Sequence, residues 1–345
     1  MAKSSAQQGF ELPALTVMMP VLNEEAHLAA AVDAILSQDY SAPLELILAL
    51  GPSKDSTNRI AAEIAAADKR VVLLDNHRGL TTIGLNAATK LAKYDFIVRV
   101  DAHSEPAPGY LADGMRILHD TGADLLGGIM AARGRSAFQK AVAWAYTSRF
   151  GIGGAAYHVG GEAGEAESAY LGIFRKAALE RVGGYDEAII RGEDWDLAQR
   201  IKRSGGLVWF SPELSVTYWP RGRWDRLAKQ FYSTGVWRGD LTQRDLAGAS
   251  KRYFLPPLMV LVILAGLLGL VLGNPLGILP LAGYLGAVAL LAVTAAGLTL
   301  KARVALMVVL PTMHLSWGWG FWRGFIGGAS KTVDKSREGT RSAAE

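Results

Sequence analysis

The chain has 345 residues, 36 of them basic and 32 acidic, with a formal net charge of +4 and no cysteine. Without cysteine it has no disulfides, no thiolate metal ligands and no cysteine nucleophile. Nucleic-acid binding is not indicated, because basic residues are mixed with acidic ones and no basic motif is interleaved with aromatic residues. A chain of this length can bury one large α/β core and leave a second region for another purpose.

Strand-like and helix-like segments alternate in the N-terminal part of the chain. The apolar run Leu15–Met19 predicts a strand, and Asn23-Glu24-Glu25 predicts the N-cap and acidic first turn of a following helix. The pattern then repeats, with strands predicted at Leu44–Leu50, Val71–Asp75 and Phe96–Val100 and helices at Ser56–Ala67 and Thr82–Ala92. This alternation predicts a parallel sheet covered by helices.

Loops after the predicted strands are candidate binding segments, because ligands of open α/β sheets bind outside the carboxyl ends of the strands. The loops in question are Pro20–Glu25, Gly51–Thr57 and Asp101–Glu105. We expect them to meet at one crevice.

The middle of the chain predicts a further strand, an amphipathic stretch at Phe138–Tyr146 and a glycine-rich segment at Phe150–Gly154. Glycine permits many backbone conformations, so the last segment is predicted to be mobile. Further along, the acids Glu193, Asp194 and Asp196 are predicted to open a helix that has one apolar face.

Residues 254–328 are almost uncharged and predict a membrane region. Segments long enough to cross about 30 Å of hydrocarbon lie at 254–273, 276–300 and 304–326. Proline, histidine and arginine interrupt the third segment. If it crosses, the basic tail ends outside, against the charge bias of membrane proteins. A third segment lying partly in the interface, with its tryptophans at headgroup level, would remove that conflict.

The predicted organisation is a flexible N-terminus at 1–13, an α/β domain at 14–245, a membrane domain at 252–328 and a flexible tail at 329–345. The first residues contain no apolar stretch long enough for a secretory signal, so the α/β domain is expected in the cytoplasm. Basic residues beside the spans predict a cytoplasmic Lys301–Arg303 loop and an outward Gly273–Pro275 turn.

Asp101-Ala102-His103 follows directly after a predicted buried strand. Its acid and its imidazole, two positions apart, could reach one divalent cation and the diphosphate that this cation holds. The alternative is an acid that caps the loop and a solvated histidine.

Other charged groups have two interpretations as well. The acids of Glu193-Asp194-Trp195-Asp196 either include a general base or only stabilise a helix dipole. Arg221, Arg223 and Arg238 either clamp phosphates or are ordinary positive charge near a first span. The opening Pro20–Glu25 is either part of a binding pocket or only a capped turn.

The order and spacing of several segments, none decisive alone, resemble glycosyltransferase family 2 of the GT-A fold over roughly residues 14–240. The likeness is greatest to bacterial exopolysaccharide glucosyltransferases of the succinoglycan type. The segments that carry it are Pro20–Glu25, Gly79–Asn86, Arg99–Ser104, Tyr170–Arg175, Gly183–Glu187, Glu193–Asp196 and Pro220-Arg221. The resemblance implies a mixed-sheet, Rossmann-like nucleotide-sugar-binding domain followed by a small transmembrane helical domain.

The resemblance also implies roles for individual residues. Asp194 matches the catalytic base, and Asp101 and His103 stand where the family has its metal-binding acid pair. Donor-binding residues are expected at Pro20, Asn23, Glu25, Ser53, Asn86, Asp101, Arg221 and Arg238. The acceptor region is expected at Phe138–Gly154, including Gly153, and at Gly172, Glu193 and Trp195.

Departures from the family pattern narrow some of these expectations. The family has two acids after its second strand, one of which holds the nucleotide base, whereas this chain has Leu50 and Gly51. A UDP-sugar is the expected donor, but the identity of the base stays open. His103 in place of a second acid suits Mn²⁺ better than Mg²⁺. The Gln-x-x-Arg-Trp signature of processive synthases is missing at Gln230, so one sugar per encounter is expected.

The implied function is an inverting, metal-dependent transfer from a nucleoside diphosphate sugar to a polyprenyl-diphosphate-linked saccharide in the bacterial inner membrane. One alternative is an enzyme that loads a sugar directly onto polyprenyl phosphate. Another is a non-catalytic nucleotide-sugar-binding scaffold, which would have no need of both Asp101 and Asp194 in one crevice. The donor sugar, the linkage and the oligomeric state are left open.

Overall fold

The computed structural model describes residues 10–246 and 249–329. Most of the predicted flexible N-terminus and tail therefore lies outside the described residues. The described chain consists of an α/β unit built on one nine-stranded sheet and a group of long apolar helices that follows it.

The first half of the sheet is parallel and has the predicted alternation. In chain order its elements are β1 (Leu15–Val21), α1 (Leu28–Leu36), β2 (Leu44–Leu50), α2 (Thr57–Ala67), β3 (Val71–Asp75), α3 (Thr81–Leu91) and β4 (Phe96–Arg99). The strands pair in the order β3-β2-β1-β4, all parallel. Every residue of β1 is buried, as expected for a central strand that is covered on both faces.

The second half makes the sheet mixed. Its strands are β5 (Ser104–Pro106), β6 (Leu125–Ala132), β7 (Gly164–Glu165), β8 (Ile173–Arg175) and β9 (Val208–Tyr218), and helix α4 (Tyr110–Thr121) lies between β5 and β6. Strand β8 runs antiparallel between β4 and β6, and β9 pairs with β6, β5 and β7. The observed sheet is the mixed sheet of the predicted fold class.

The remaining helices of the α/β unit are α5 (Ala137–Tyr146), α6 (Ala156–Val159), α7 (Lys176–Arg181), α8 (Glu193–Arg203) and α9 (Trp224–Arg244). A capping box between Ser136 and Gln139 starts α5. The predicted acids Glu193, Asp194 and Asp196 occupy the first turn of α8, as the sequence indicates.

The predicted N-cap at Asn23 is wrong. Helix α1 begins at Leu28, and its first turn contains no acidic residue. Asn23 instead has a φ of 55°, a left-handed conformation that asparagine tolerates better than most residues. Residues Asn23 to Glu25 use their polar groups to bind the loop after β2, so these groups are not available to cap a helix.

Three apolar helices follow the α/β unit: α10 (Leu255–Val271), α11 (Leu279–Thr294) and α12 (Leu300–Gly327). Counting the 3₁₀ turns before the first two, the segments Lys251–Val271, Pro275–Thr294 and Leu300–Gly327 are long and apolar enough to cross a membrane. The second helix ends earlier than the predicted 276–300, because a turn with Gly297 at a φ of 75° separates it from α12.

Helix α12 is attached lengthwise to the α/β unit. Gly320 and Gly324 of α12 approach the backbone of Tyr232 and Val236 of α9 so closely that a Cβ would collide with it. The matching residues rise together in steps of four, so the two helices run parallel. Earlier residues of α12, such as Leu306 and Leu310, pack against α5 and the start of α9.

Candidate active site

The loops after β1 and β2 are joined by hydrogen bonds. The Asn23 amide donates to Ser53 Oγ at 3.0 Å, and the Lys54 amide donates to Asn23 Oδ1 at 2.7 Å. The Ser56 amide donates to Glu25 Oε2 at 3.0 Å. The predicted convergence of these loops at the carboxyl edge of the parallel strands is confirmed.

The loop after β4 joins the same edge through His103. Its Nδ1 lies 3.0 Å from Glu24 Oε1, and both side chains are partly exposed. Pro20, by contrast, is a buried residue of β1 that is paired with Ala49 of β2. The structure therefore brings Asn23, Glu25, Ser53 and His103 to one edge, while their role toward a nucleotide stays a prediction.

The centre of the site is Arg99, the last residue of β4, whose side chain is only 3% exposed. Its guanidinium forms ion pairs with Asp101 and Glu193, each at 3.2 Å, and with Asp194. The Tyr185 ring lies 5.8 Å away. The pairing links the end of β4 to the start of α8 and leaves more carboxylates than cations at this point.

Asp194 combines partial access with a shifted acidity. Its side chain is 31% exposed, so a ligand can reach it. Burial raises the pKa of Asp194 to about 8; Arg99 opposes the rise, and the charges of Glu193 and Asp101 add to it. Burial and the neighbouring acids therefore outweigh both Arg99 and the favourable position of this carboxylate at the helix start.

The two aspartates of α8 address different partners, as helix geometry predicts for residues two apart. Asp194 contacts Arg99, whereas Asp196 Oδ2 accepts a hydrogen bond from Arg200 Nε at 2.8 Å, one turn along the same helix. Asp196 is therefore a structural acid of α8.

Arg99 has no assigned role in the sequence-based prediction, although it lies within one of the segments that carry the family resemblance. The signal was present, because an arginine in an otherwise apolar strand needs a buried partner. Which acids those partners are could not be read from the sequence, since Glu193 and Asp194 lie about a hundred residues away and only the fold brings them close.

A strained turn supports the backbone of Arg99. Leu171 is buried with a φ of 62°, and Gly172 follows at 81°. The Gly172 carbonyl accepts a hydrogen bond from the Arg99 amide at 3.0 Å. A Cβ at Gly172 would collide with the Phe174 ring, so glycine is required there. Gly172, predicted in the acceptor region, thus holds the backbone next to the acids.

Asn86, predicted to bind the donor, also contacts protein. Its Nδ2 donates to the Tyr185 carbonyl at 2.9 Å and to Glu187 Oε1 at 3.2 Å, and its Oδ1 accepts from the Tyr185 amide at 2.8 Å. The side chain fixes the loop that carries Tyr185 against α3. A direct contact with donor stays a prediction.

A cavity of about 750 Å³ adjoins the site on the side of the apolar helices. Three predicted site residues line it: Gly153, Trp195 and Arg238. The predicted acceptor stretch Phe138–Gly154 is divided, because its C-terminal part lines the cavity whereas α5 packs on α12. Arg221 is not among the lining residues and lies near Tyr146, where it opposes the rise in the Tyr146 pKa that burial causes.

Among the described residues, no three of histidine, aspartate and glutamate are grouped to hold a metal ion by themselves. Asp101 is paired with Arg99, and His103 with Glu24. A cation here would take most of its ligands from a bound diphosphate and water, as Mg²⁺ commonly does in nucleotide sites.

Comparison with known proteins places these features in a family. The sequence profile described as "Glycosyl transferase family 2" matches residues 16–183. The chain is 30% identical over 313 residues to the succinoglycan biosynthesis protein ExoA of Rhizobium meliloti (strain 1021), covering 89% of this chain and 93% of that protein. It is 21% identical over 329 residues to a dolichyl N-acetyl-alpha-D-glucosaminyl phosphate 3-beta-D-2,3-diacetamido-2,3-dideoxy-beta-D-glucuronosyltransferase of Methanococcus voltae, covering 92% and 98%.

Solved structures share the fold. The mannosyltransferase PcManGT from Pyrobaculum calidifontis, determined in complex with GDP-Man and Mn²⁺, superposes with a TM-score of 0.58 at 22% identity. The match covers 91% of this chain and 87% of that one. The predicted fold class, a GT-A domain followed by apolar helices, is confirmed.

Proposed function

The chain belongs to glycosyl transferase family 2, and on that premise we propose that it transfers one sugar, with inversion, from a nucleoside diphosphate to a lipid-linked saccharide. The observation that carries the proposal is the cluster of Asp101, Glu193 and Asp194 around Arg99 at the carboxyl edge of β4. A non-catalytic scaffold is set aside, because the chain is a glycosyltransferase by family.

The chemistry needs a base on one side of the sugar and a leaving group on the other. The ionised carboxylate of Asp194 accepts the proton of the acceptor hydroxyl as that oxygen bonds to C1 of the donor sugar. The bond between C1 and the diphosphate oxygen breaks, and the nucleoside diphosphate departs from the opposite face. A single displacement inverts C1, so an α-linked donor gives a β-glycoside.

Arg99 organises this step without touching the sugar. Its guanidinium pairs with both Asp194 and Asp101, so the base is held at a fixed position relative to the acid proposed to lie on the side of the leaving group. The raised pKa of Asp194, about 8, makes its ionised form a stronger base than an ordinary aspartate, and the fraction in that form grows as the pH rises toward and above 8.

A divalent cation would neutralise the charge that develops on the leaving diphosphate. Asp101 and His103 are the residues that we propose to hold it, with phosphate oxygens as further ligands. Their partly exposed side chains and mixed oxygen and nitrogen donors fit Mn²⁺ better than Mg²⁺. The Mn²⁺ in the complex of the structural neighbour supports the same choice.

The acceptor is proposed to be a saccharide on a polyprenyl diphosphate in the cytoplasmic membrane of a bacterium. The apolar helices and the adjoining cavity support a lipid acceptor. The relative from Methanococcus voltae is named for transfer to a sugar carried on dolichyl phosphate, which favours a lipid-linked sugar over bare polyprenyl phosphate. The relative ExoA is named for polysaccharide biosynthesis, so we assign this chain to glycan assembly.

The test is transfer by the purified full chain from a panel of radiolabelled UDP- and GDP-sugars to a bacterial lipid extract, with and without Mn²⁺. We expect one donor to label a lipid that already carries a sugar, and NMR of the product to give a β-linkage. Labelling of bare polyprenyl phosphate would replace the proposed acceptor. A product that retains the α-configuration would contradict the role of Asp194.

A further inference from the structure

The cavity of about 750 Å³ has two chemically different ends. One end is formed by the α/β unit and carries Trp195 of α8 and Arg238 of α9. The other is formed by the apolar helices and is lined by Leu255, Met259, Tyr284, Val288, Leu291 and Met313. A ligand that fills it must be polar at one end and apolar at the other.

Arg238 is the unusual residue at the polar end. Its guanidinium stacks on the rings of Trp195 and Tyr253, with centroid distances of 4.7 and 4.4 Å. Its Nη1 is buried and has no hydrogen-bond partner among the described residues. A buried cationic donor without a partner is costly, whereas an anionic ligand would complete it with a charge-assisted hydrogen bond.

None of the acids that line the cavity accepts a hydrogen bond from Arg238 Nη1, although Glu167 interacts electrostatically with Arg238. Glu167 is held by Arg252 at 2.7 Å and by the hydroxyl of Tyr253 at 2.6 Å, so its charge is already paired. Glu162 and Glu165 are exposed to solvent. The balance at the inner wall therefore favours an anion next to Arg238.

Arg238 lines the cavity, whereas the loop residues predicted to bind the nucleotide, Asn23, Glu25 and Ser53, are not among its lining residues. It contacts Trp195, the residue after the proposed base Asp194, on the side of the apolar helices. Asn23 and Ser53, by contrast, lie at the loops after β1 and β2. An anion at Arg238 would lie beside the residue that follows the base and in the cavity of the apolar helices, which favours the acceptor's phosphate over those of the donor.

We propose that this cavity binds the phosphate end of the acceptor lipid, with Arg238 contacting the phosphate and the hydrocarbon chain lying along α11 and α12. The proposal rests on the proposed function and specifies its acceptor subsite. The sequence predicts that Arg238 binds the phosphates of the donor, whereas in this proposal Arg238 binds those of the acceptor. Both a polyprenyl phosphate and a polyprenyl diphosphate have the required chemistry.

The first test measures binding of radiolabelled polyprenyl phosphate and polyprenyl diphosphate to the full chain in detergent, without donor. Arg238→Gln should weaken both by about tenfold or more, because a charge-assisted contact is lost. Lys229→Gln, which removes an exposed cation from the same helix, should bind as the wild type does. Polyprenol, which lacks phosphate, should bind more weakly and be insensitive to Arg238→Gln. The tighter of the two phosphorylated lipids identifies the natural headgroup.

The second test addresses the apolar end. Ala287→Trp places a large ring in the cavity wall and should weaken the long-chain phosphate while sparing a short-chain prenyl phosphate. Arg238→Lys keeps a cation and should restore part of the lipid affinity, which separates charge from folding. Unchanged lipid binding in Arg238→Gln overturns the proposal, and if the same variant weakens nucleoside diphosphate instead, Arg238 serves the donor. Because no donor is present, the binding result stands apart from any failure to detect sugar transfer.

Discussion

The crevice at the sheet edge and the cavity beside the apolar helices differ in how the charged groups of each are partnered. In the crevice, Asp101, Glu193 and Asp194 share one buried arginine, so acids are in excess. In the cavity, Arg238 has aromatic neighbours and a buried Nη1 without a hydrogen-bond partner among the described residues, so a cationic donor is left unsatisfied. This difference underlies the two proposals, a base and a cation-bound diphosphate in the crevice and the phosphate end of an acceptor lipid in the cavity.

The largest effect is expected from a substitution in the crevice, at Asp101. Asp101→Asn should abolish transfer and weaken donor binding, because the carboxylate proposed to hold the cation is lost. Mn²⁺ binding can be measured without turnover, from the EPR spectrum of Mn²⁺ in the presence of the protein and nucleoside diphosphate. The variant should bind less Mn²⁺ than the wild type. His103→Asp should shift the preference toward Mg²⁺. Full activity of Asp101→Asn, or wild-type activity undiminished in chelator, would sink the assignment.

Asp194→Asn keeps the shape of the proposed base and removes its basicity. Turnover should fall by about a hundredfold or more while the dissociation constant of the donor stays near that of the wild type. Asp196→Asn is the matched control, because Asp196 is engaged with Arg200, and it should cost less in turnover. An active Asp194→Asn beside a dead Asp196→Asn or Glu193→Gln would mean that the base is misassigned.

The predicted topology can be tested by labelling single introduced cysteines, each of which should react from only one side of the membrane. Cysteines at Ser53 and Asn274 should react from opposite sides of the membrane. Since α12 packs lengthwise on α5 and α9, we expect cysteines at Lys301 and Gly328, near its two ends, to react from the same side as Ser53. Reaction of the Gly328 cysteine from the outer side would contradict an α12 that lies in the membrane interface, and same-side labelling of Ser53 and Asn274 would contradict the predicted outward turn between α10 and α11.

The joint between the regions can be tested at Gly324. A Cβ there collides with the backbone of Val236, so Gly324→Ala should destabilise the chain by about 1–3 kcal/mol. Gly283→Ala on α11 is the control, because nothing lies within 4 Å of its Cβ and alanine favours a helix. Thermal unfolding in detergent should show a lower Tm for Gly324→Ala and an unchanged Tm for Gly283→Ala. Equal Tm values for the two variants would contradict the close contact between Gly324 and Val236.

The smallest expected effect concerns pH. The proposed base works only when ionised, so kcat/KM should rise with pH through the pKa of Asp194, about 8 in the free protein. The negative charge of Glu193 helps to raise this pKa, so Glu193→Gln should move the rise to lower pH. Asp196→Asn should leave it in place. A pH profile that rises near the ordinary aspartate range, around pH 4, would contradict the raised pKa.

The sequence by itself determined the alternating elements and the convergent loops. It also determined that Asp101 follows a buried strand and that Asp194 lies in the first turn of a helix. Hydrophobic periodicity and strand-loop-helix order depend on neighbours along the chain, so they can be read locally. Leu44–Leu50 and Val71–Asp75 have the predicted bounds, and the family resemblance is confirmed by the matching relatives.

Only the tertiary structure decided which partners these residues have. The pairing of Arg99 with α8, the raised pKa of Asp194 and the stacking of Arg238 on Trp195 depend on elements far apart in the chain. The same holds for Asn23, whose side chain was free in sequence terms to cap a helix but is taken by the loop after β2. Burial and long-range ion pairs set these properties, because they depend on distances in space that local patterns do not encode.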